Sequence, residues 1–186
     1  KIKEIFIPPH VSKICKYAFA LCENLEIIEI PKNSELQLIE YNAFSGTNIK
    51  EIFIPSQLKE VRNGWCCDID NLTKIEISPE NKNFIMKDGQ LLLGKSDPNC
   101  DNFDVLLFAV RNISKVQIPS NIKIISSYAF YDCYNLVTIE IPENSELQLI
   151  ENGAFARTNI KEIFIPPHVS KICKYAFYSC KNLEII

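Results

Sequence analysis

The sequence predicts a repeat solenoid, on three observations. Residues 2–28 and 160–186 are near-copies that differ at only three positions: Ala20/Tyr178, Leu21/Ser179 and Glu23/Lys181. A shorter unit of about 23 residues recurs beneath them, opening at Asn24-Leu25, Asn48-Ile49, Asn71-Leu72, Asn112-Ile113, Asn135-Leu136, Asn159-Ile160 and Asn182-Leu183. Each regular unit then carries an I-x-I pair closed by proline. A fixed period of this length is the mark of stacked supersecondary units that cannot bury their apolar faces alone.

Each segment of the unit has a physical reason. Ile5 and Ile7, Ile28 and Ile30, and Ile52 and Ile54 alternate with outward residues, the period of a short strand with one buried face. Pro8, Pro31, Pro55, Pro119, Pro142 and Pro166 follow, and proline ends the ladder because it has no N–H to donate. Val11 and Ile14 return to the core. Ala18-Phe19, Ala43-Phe44, Ala129-Phe130, Ala154-Phe155 and Ala176-Phe177 then predict a short helical or 3₁₀ turn with the ring inside. The next Asn starts a new strand about 4.8 Å away. The expectation is a single parallel sheet of short strands on one face, with short helical or 3₁₀ turns and loops on the other. One unit buries about six apolar side chains at about 1.5–3 kcal/mol each. Ordering its backbone costs about 1–2 kcal/mol per residue, so stability requires stacking.

Residues 71–111 form an irregular unit without the Ala-Phe turn. Asp88-Gly89 between apolar runs predicts a hairpin, followed by a polar stretch, Lys95–Asp104. Asp97, Asp101 and Asp104 do not follow the calcium-loop spacing, so a solvated loop tip is expected and no metal site. The whole chain, 1–186, is expected to be one array that continues beyond these residues, since the long copies lie 158 residues apart and the second stops within a unit.

Composition excludes several classes. A formal charge of −3 gives no basic stripe for nucleic acid. No apolar run reaches membrane-spanning length. No nucleophile-elbow, zinc-protease, phosphate-loop or dinucleotide motif is present, and His10 and His168 are copies of one Pro-Pro-His site rather than partners. An enzyme is therefore not expected, nor a cofactor. Cys22, Cys133 and Cys180 share a slot three residues after the phenylalanine and are expected to be buried thiols. Cys66 takes a phenylalanine slot and is expected to be buried too. Cys15 and Cys173 are expected to be more exposed, and a Cys15–Cys22 bridge is disfavoured by opposite directions. The sequons at Asn71 and Asn112 fall where every unit has Asn, which favours a structural role.

The candidate binding surface is the outward strand face. Its residues are Glu4, Phe6, Ile27, Glu29, Glu51, Phe53, Lys74, Glu76, Glu140, Glu162 and Phe164. On the first three strands apolar and acidic side chains alternate, a pattern suited to aromatic anchors in a polar surround. The competing explanation is that phenylalanine simply suits strands.

The unit L-x-x-I-x-I-P, V-x-x-I, A-F-x-x-C closely resembles the BspA-type leucine-rich repeats of surface proteins from gut bacteria and parasitic protists such as trichomonads and entamoebae. The resemblance covers nearly the whole chain. It implies a leucine-rich-repeat solenoid, a cell-surface or secreted location and adhesion to host or other partner proteins, with no catalytic residues. An intracellular, cytoplasmic scaffold is the alternative. End-to-end association of copies is also an expectation, because no polar capping unit is visible.

Overall fold

The computed structural model describes residues 2–185. They fall into two compact units, Lys1–Gly89 and Gln90–Ile186. The first contains β1 (Glu4–Phe6), β2 (Lys13–Ile14), β3 (Ile27–Glu29), β4 (Leu38–Ile39), β5 (Glu51–Ile54), β6 (Glu60–Val61), β7 (Lys74–Ile77) and β8 (Ile85–Lys87). The second contains β9 (Leu91–Gly94), β10 (Val105–Ala109), β11 (Lys115–Gln117), β12 (Ile124–Ile125), β13 (Thr138–Glu140), β14 (Leu149–Ile150) and β15 (Lys171–Ile172).

The I-x-I segments form the predicted parallel ladders. β1 pairs β3 with Ile5 beside Ile28, β5 pairs β7 with Ile52 beside Ile75, and β11 pairs β13 with Val116 beside Ile139. The expected single sheet is, however, joined by a second ladder in each unit. The V-x-x-I segment makes its own two-residue strands, β2-β4-β6 in the first unit and β12-β14-β15 in the second, where the five-residue β10 of the irregular unit pairs with β12. Each regular repeat thus has three runs: the long strand, the short strand and the Ala-Phe turn.

Those turns are not helical. Two positions four residues apart take left-handed backbone in each regular repeat: Tyr17 and Leu21, Asn42 and Gly46, Gly64 and Asp68, Tyr128 and Asp132, Gly153 and Arg157, Tyr175 and Ser179. Alternate N–H groups therefore point opposite ways. Those of Ala18, Ala20 and Cys22 close turns on their own chain, at Cys15, Tyr17 and Phe19. Those of Tyr17, Phe19 and Leu21 donate to the next repeat, at Tyr41, Ala43 and Ser45. A helix would direct every N–H along its own axis and leave the neighbouring repeat's carbonyls without these donors. The turns form a third ladder instead, at a cost of about 1–2 kcal/mol for each left-handed residue other than glycine.

The phenylalanines stack along this ladder. Phe19 and Phe44 lie parallel at 5.6 Å in the first unit. In the second unit Phe130 and Phe155 lie 5.1 Å apart, and Phe155 and Phe177 5.4 Å apart. Trp65 holds the alanine slot and Cys66 the phenylalanine slot, so the indole meets Phe44 edge-on at 6.4 Å and supplies the missing aromatic volume. Cys66 and Cys133 are buried as expected, whereas Cys22 and Cys180 are only half-buried. Cys15 is exposed, Cys173 is intermediate, and all eight cysteines are free thiols.

The irregular unit replaces its missing turn. Asp88 and Gly89 both have positive φ, as a two-residue hairpin turn requires. β9 and β10 are antiparallel, with a bulge between Leu106 and Phe108. Arg111 is buried behind β10. Its guanidinium donates to Ala109 and Ala129 carbonyls, reaches the Cys133 sulfur at 3.2 Å and lies 4.1 Å from the Phe108 ring centre. Burial pushes the Cys133 thiol up despite that cation. In the loop after β9, Asp97 and Asp101 are exposed, as a solvated tip should be, but Asp104 is not. Asp104 accepts from the Ser96 N–H and hydroxyl and pairs with Lys123 at 3.3 Å. Burial raises its carboxyl, and these partners outweigh that and hold it below the ordinary carboxylate range. It closes the loop.

The repeated asparagine is structural as well. Asn71 donates its amide N–H to Asn48, and Asn182 donates to Asn159 at 3.2 Å. The Asn71 nitrogen that glycosylation would modify is therefore engaged in the repeat.

Candidate functional site

The long-strand ladder of the first unit is interrupted. β1-β3 and β5-β7 are separate two-stranded sheets. The cause lies at the corner preceding β5. After Leu21, two residues (Cys22, Glu23) precede Asn24, whereas after Gly46 only Thr47 precedes Asn48. The Asn48 N–H then donates to the Leu25 carbonyl, one repeat slot out of step. In the β1-β3 pair, by contrast, Glu26 N–H meets Lys3, its own slot. A slip of one residue would turn Ile52 and Ile54 out of the core. Their burial prevails, and β5 does not pair with β3.

A groove of about 420 Å³ opens over this break. Ile28, Ile30 and Ile52 lie beneath it, while Phe6, Glu29, Pro31, Lys32, Glu51, Phe53, Lys74 and Glu76 complete the lining. Six of the eleven predicted surface residues are therefore brought to one place. Ile27 lines the adjoining depression with Glu26, Lys50, Glu51, Thr73 and Lys74. Glu4 sits on the same strand face, exposed, beside Ile27 in the ladder register. Glu140, Glu162 and Phe164 belong to the second unit, where all three are exposed. Pro31 and Lys32 were not anticipated. They follow the strand, and nothing in the repeat pattern marks them as part of the outward face.

The aromatics are presented as expected, with one difference. Phe6 is 53% exposed and Phe164 52%, but Phe53 is half-buried within the groove. The carboxylates are mostly balanced. Lys74 pairs with Glu51 at 3.0 Å and lies 3.9 Å from Glu76. The Glu51 hydrogen bond holds its ammonium above the ordinary lysine value. Lys50 pairs with Glu26 at 3.1 Å, and Lys115 with Glu140 at 2.6 Å in the second unit. Glu29 makes no ion pair among the described residues. It stands between Phe6 and Phe53 as the groove's available carboxylate. Among the described residues no cluster of His, Cys, Asp or Glu has the arrangement of a metal site, and no helix is long and apolar enough to cross a membrane.

A sheet face bearing two aromatics over an aliphatic floor, rimmed by charge, is suited to binding another polypeptide. The repeat itself matches a known family: the BspA type leucine rich repeat region, in 6 copies over residues 1–88 and 101–186. The chain belongs to this family. The segment outside the match, 89–100, is the loop-bearing part of the irregular unit. Among solved structures, this BspA-type chain is similar to the pneumococcal vaccine antigen PcpA, with a TM-score of 0.83, 21% identity, and coverage of 99% of this chain and 50% of that one. It is also similar to a leucine rich cell surface protein from Faecalibacterium prausnitzii, with a TM-score of 0.77, 24% identity, and coverage of 100% and 53%. A leucine-rich repeat protein from Eubacterium ventriosum gives a TM-score of 0.78 at 23% identity, covering 99% and 53%. The chain thus spans about half the length of these structures. Among curated proteins no relative matches it.

Proposed function

We propose that this BspA-type repeat array is a non-enzymatic adhesion module of the cell surface, and that it grips a host or other extracellular protein through the outward strand face. The observation that carries this reading is the groove over the β3/β5 break, where Phe6 and Phe53 flank Glu29 above an isoleucine floor. Phe6 stays exposed on a regular sheet, a position that favours a covering partner. The family, the description of one structural neighbour as a cell surface protein and that of another as a vaccine antigen support a surface location.

The test is binding of the purified chain to a panel of extracellular-matrix and plasma proteins by interferometry. Phe6→Ser, Phe53→Ser and Phe164→Ser together should weaken the strongest interaction by at least about tenfold, the size of one or two lost interface anchors, while the thermal midpoint moves little. Unchanged binding by the folded triple variant places the site elsewhere. Sedimentation of the same sample separates partner binding from end-to-end self-association.

An intracellular scaffold is the second reading, since reduced cysteines such as exposed Cys15 and Cys100 would be natural there. Thiol titration of the chain isolated from its native compartment decides between the two. An oxidised pair supports the surface location, and eight reduced cysteines with a cytoplasmic fraction support the scaffold.

A further inference from the structure

All seven tyrosines of the chain lie on or beside the turn ladder, five of them in the second unit. Four of these form two like pairs. Tyr128 and Tyr131 meet edge-to-face at 5.6 Å, and Tyr175 and Tyr178 at 5.7 Å. The repeat between them has Gly153 and Ala156 in the corresponding slots, both buried. Backbone bonds from Tyr128 to Asn152 and from Gly153 to Lys174 place one ladder step on each side of that repeat. The pairs therefore stand two steps apart, about 10 Å, over a floor of small residues. The Tyr128 ring leans over this floor, since a Cβ on Gly153 would lie 2.9 Å from it. Tyr175 and Tyr178 are 59% and 56% exposed. Tyr128 and Tyr131, the counterparts of Tyr175 and Tyr178 two repeats earlier, are half-buried.

Two cations stand along the stripe. Arg157 lies 5.3 Å from the Tyr131 ring centre, and Lys174 lies 4.6 Å from that of Tyr175. Of the neighbouring carboxylates, Asp132 is buried and held by Arg157 at 3.4 Å, and Glu151 accepts from the Ser127 N–H and hydroxyl, each at 2.9 Å. We propose that this tyrosine stripe binds an extended, proline-rich peptide segment that carries carboxylates. A polyproline-type helix repeats every three residues, about 9.3 Å, close to the two-step separation of the tyrosine pairs. Prolines at i and i+3 fit the two pairs in register. Such a segment is ordered before binding and docks on aromatic surfaces, and its carboxylates meet Arg157 and Lys174. A glycan also stacks on tyrosine, but its hydroxyl donors need acceptors, and the two carboxylates at hand, Asp132 and Glu151, are engaged by Arg157 and Ser127.

The experiment is fluorescence anisotropy with the intact chain and a labelled peptide of four Pro-Pro-Glu triplets. Saturable binding that weakens with salt is expected. Tyr175→Ser with Tyr178→Ser should weaken it on the order of tenfold, and Phe6→Ser with Phe53→Ser should leave it unchanged. This surface therefore fails or survives independently of the strand-face groove. Three Pro-Ser-Ser-Glu quartets should bind the unaltered chain at least about tenfold more weakly than four Pro-Ser-Glu triplets, a pair of twelve-residue peptides whose prolines recur every fourth and every third residue. Equal affinity for the two spacings overturns the proposal. So does wild-type affinity in the tyrosine variant, absence of peptide binding, or saturation of the stripe by a β-linked glucose oligosaccharide in place of the peptide.

Discussion

The two kinds of corner that lead into the long strands differ by one residue. Where two residues separate the second left-handed position from the next asparagine, the strands pair. This holds for Cys22-Glu23 before β3, Ile69-Asp70 before β7, Cys133-Tyr134 before β13, and Cys180-Lys181 before the Glu162–Ile185 bridge. Where one residue separates them, the ladder stops. Thr47 stands before the β3/β5 break, and Thr158 stands where β13 pairs with no following strand. In the one-residue corners the Asn48 and Asn159 N–H groups reach the Leu25 and Leu136 carbonyls of the preceding repeat. In the cysteine corners the leucine N–H turns back on the corner itself, Leu25 to Cys22 and Leu136 to Cys133. The same interruption follows both threonines, one in each unit, so corner length governs it rather than local accident. In the first unit a groove is the consequence.

The strongest way to break this comparison is to convert one corner into the other. Thr47→Cys with a glutamate inserted behind it recreates the Cys22-Glu23 corner. β5 then enters in step with β3, and both strands can pair while Ile52 and Ile54 stay inside. Amide exchange across Ile28–Ile30 and Glu51–Phe53 should slow by tenfold or more, on the order expected when exposed strand amides enter a cooperative ladder, and the groove should close. Unchanged exchange there means that corner length does not set the break.

A second contrast separates the two one-residue-corner repeats. Each uses a glycine at a left-handed position, Gly46 in the first unit and Gly153 in the second. An added methyl at Gly46 meets the tip of the exposed Leu21 side chain at 3.0 Å, which can move. At Gly153 it meets the half-buried Tyr128 ring at 2.9 Å. Gly46→Ala should therefore cost about 1–2 kcal/mol from backbone strain alone. Gly153→Ala should cost about 1 kcal/mol more, from forced repacking. Urea denaturation of both variants measures the difference, and equal losses mean that the ring yields freely.

Much of this was legible in the sequence. The period, the inward isoleucines, the proline stops and the Asp88-Gly89 hairpin follow from local rules that each segment obeys independently. The six surface residues that meet in the groove were on the predicted face because strand alternation leaves them no other direction. The groove itself was not legible, because it arises from a one-residue mismatch between neighbouring repeats. The signal was present in the contrast of Gly46-Thr47-Asn48 with Leu21-Cys22-Glu23-Asn24, but only the hydrogen bonds show what the missing residue does. The turns were expected to be helical or 3₁₀, with the ring in the core. Left-handed Tyr17, Leu21 and Arg157 carry no glycine to announce them, and the stacking of repeats imposes that backbone. The tyrosines were passed over for the same reason, since their outward direction depends on that turn geometry.

The smallest expected effect distinguishes the two threonines. Both are buried, and each hydroxyl donates to the phenylalanine carbonyl three residues back, Thr47 to Phe44 at 2.8 Å and Thr158 to Phe155 at 2.9 Å. That bond stands in for the residue the corner lacks by tying the shortened chain to the turn. Valine has nearly the same shape and cannot donate. At Thr47 the substitution should cost about 1 kcal/mol, the net worth of one buried hydrogen bond. Each phenylalanine carbonyl keeps the threonine's own backbone N–H, but the Phe155 carbonyl also accepts from the Cys180 thiol at 3.0 Å, so the loss at Thr158 should be roughly half as large. Cys180→Ala combined with Thr158→Val should restore the full cost, because the carbonyl then loses both side-chain donors. Thermal midpoints of the two single variants and the double variant read this directly. A Thr158→Val loss equal to that of Thr47→Val, with no added effect of Cys180→Ala, means that the thiol contributes nothing to holding the corner.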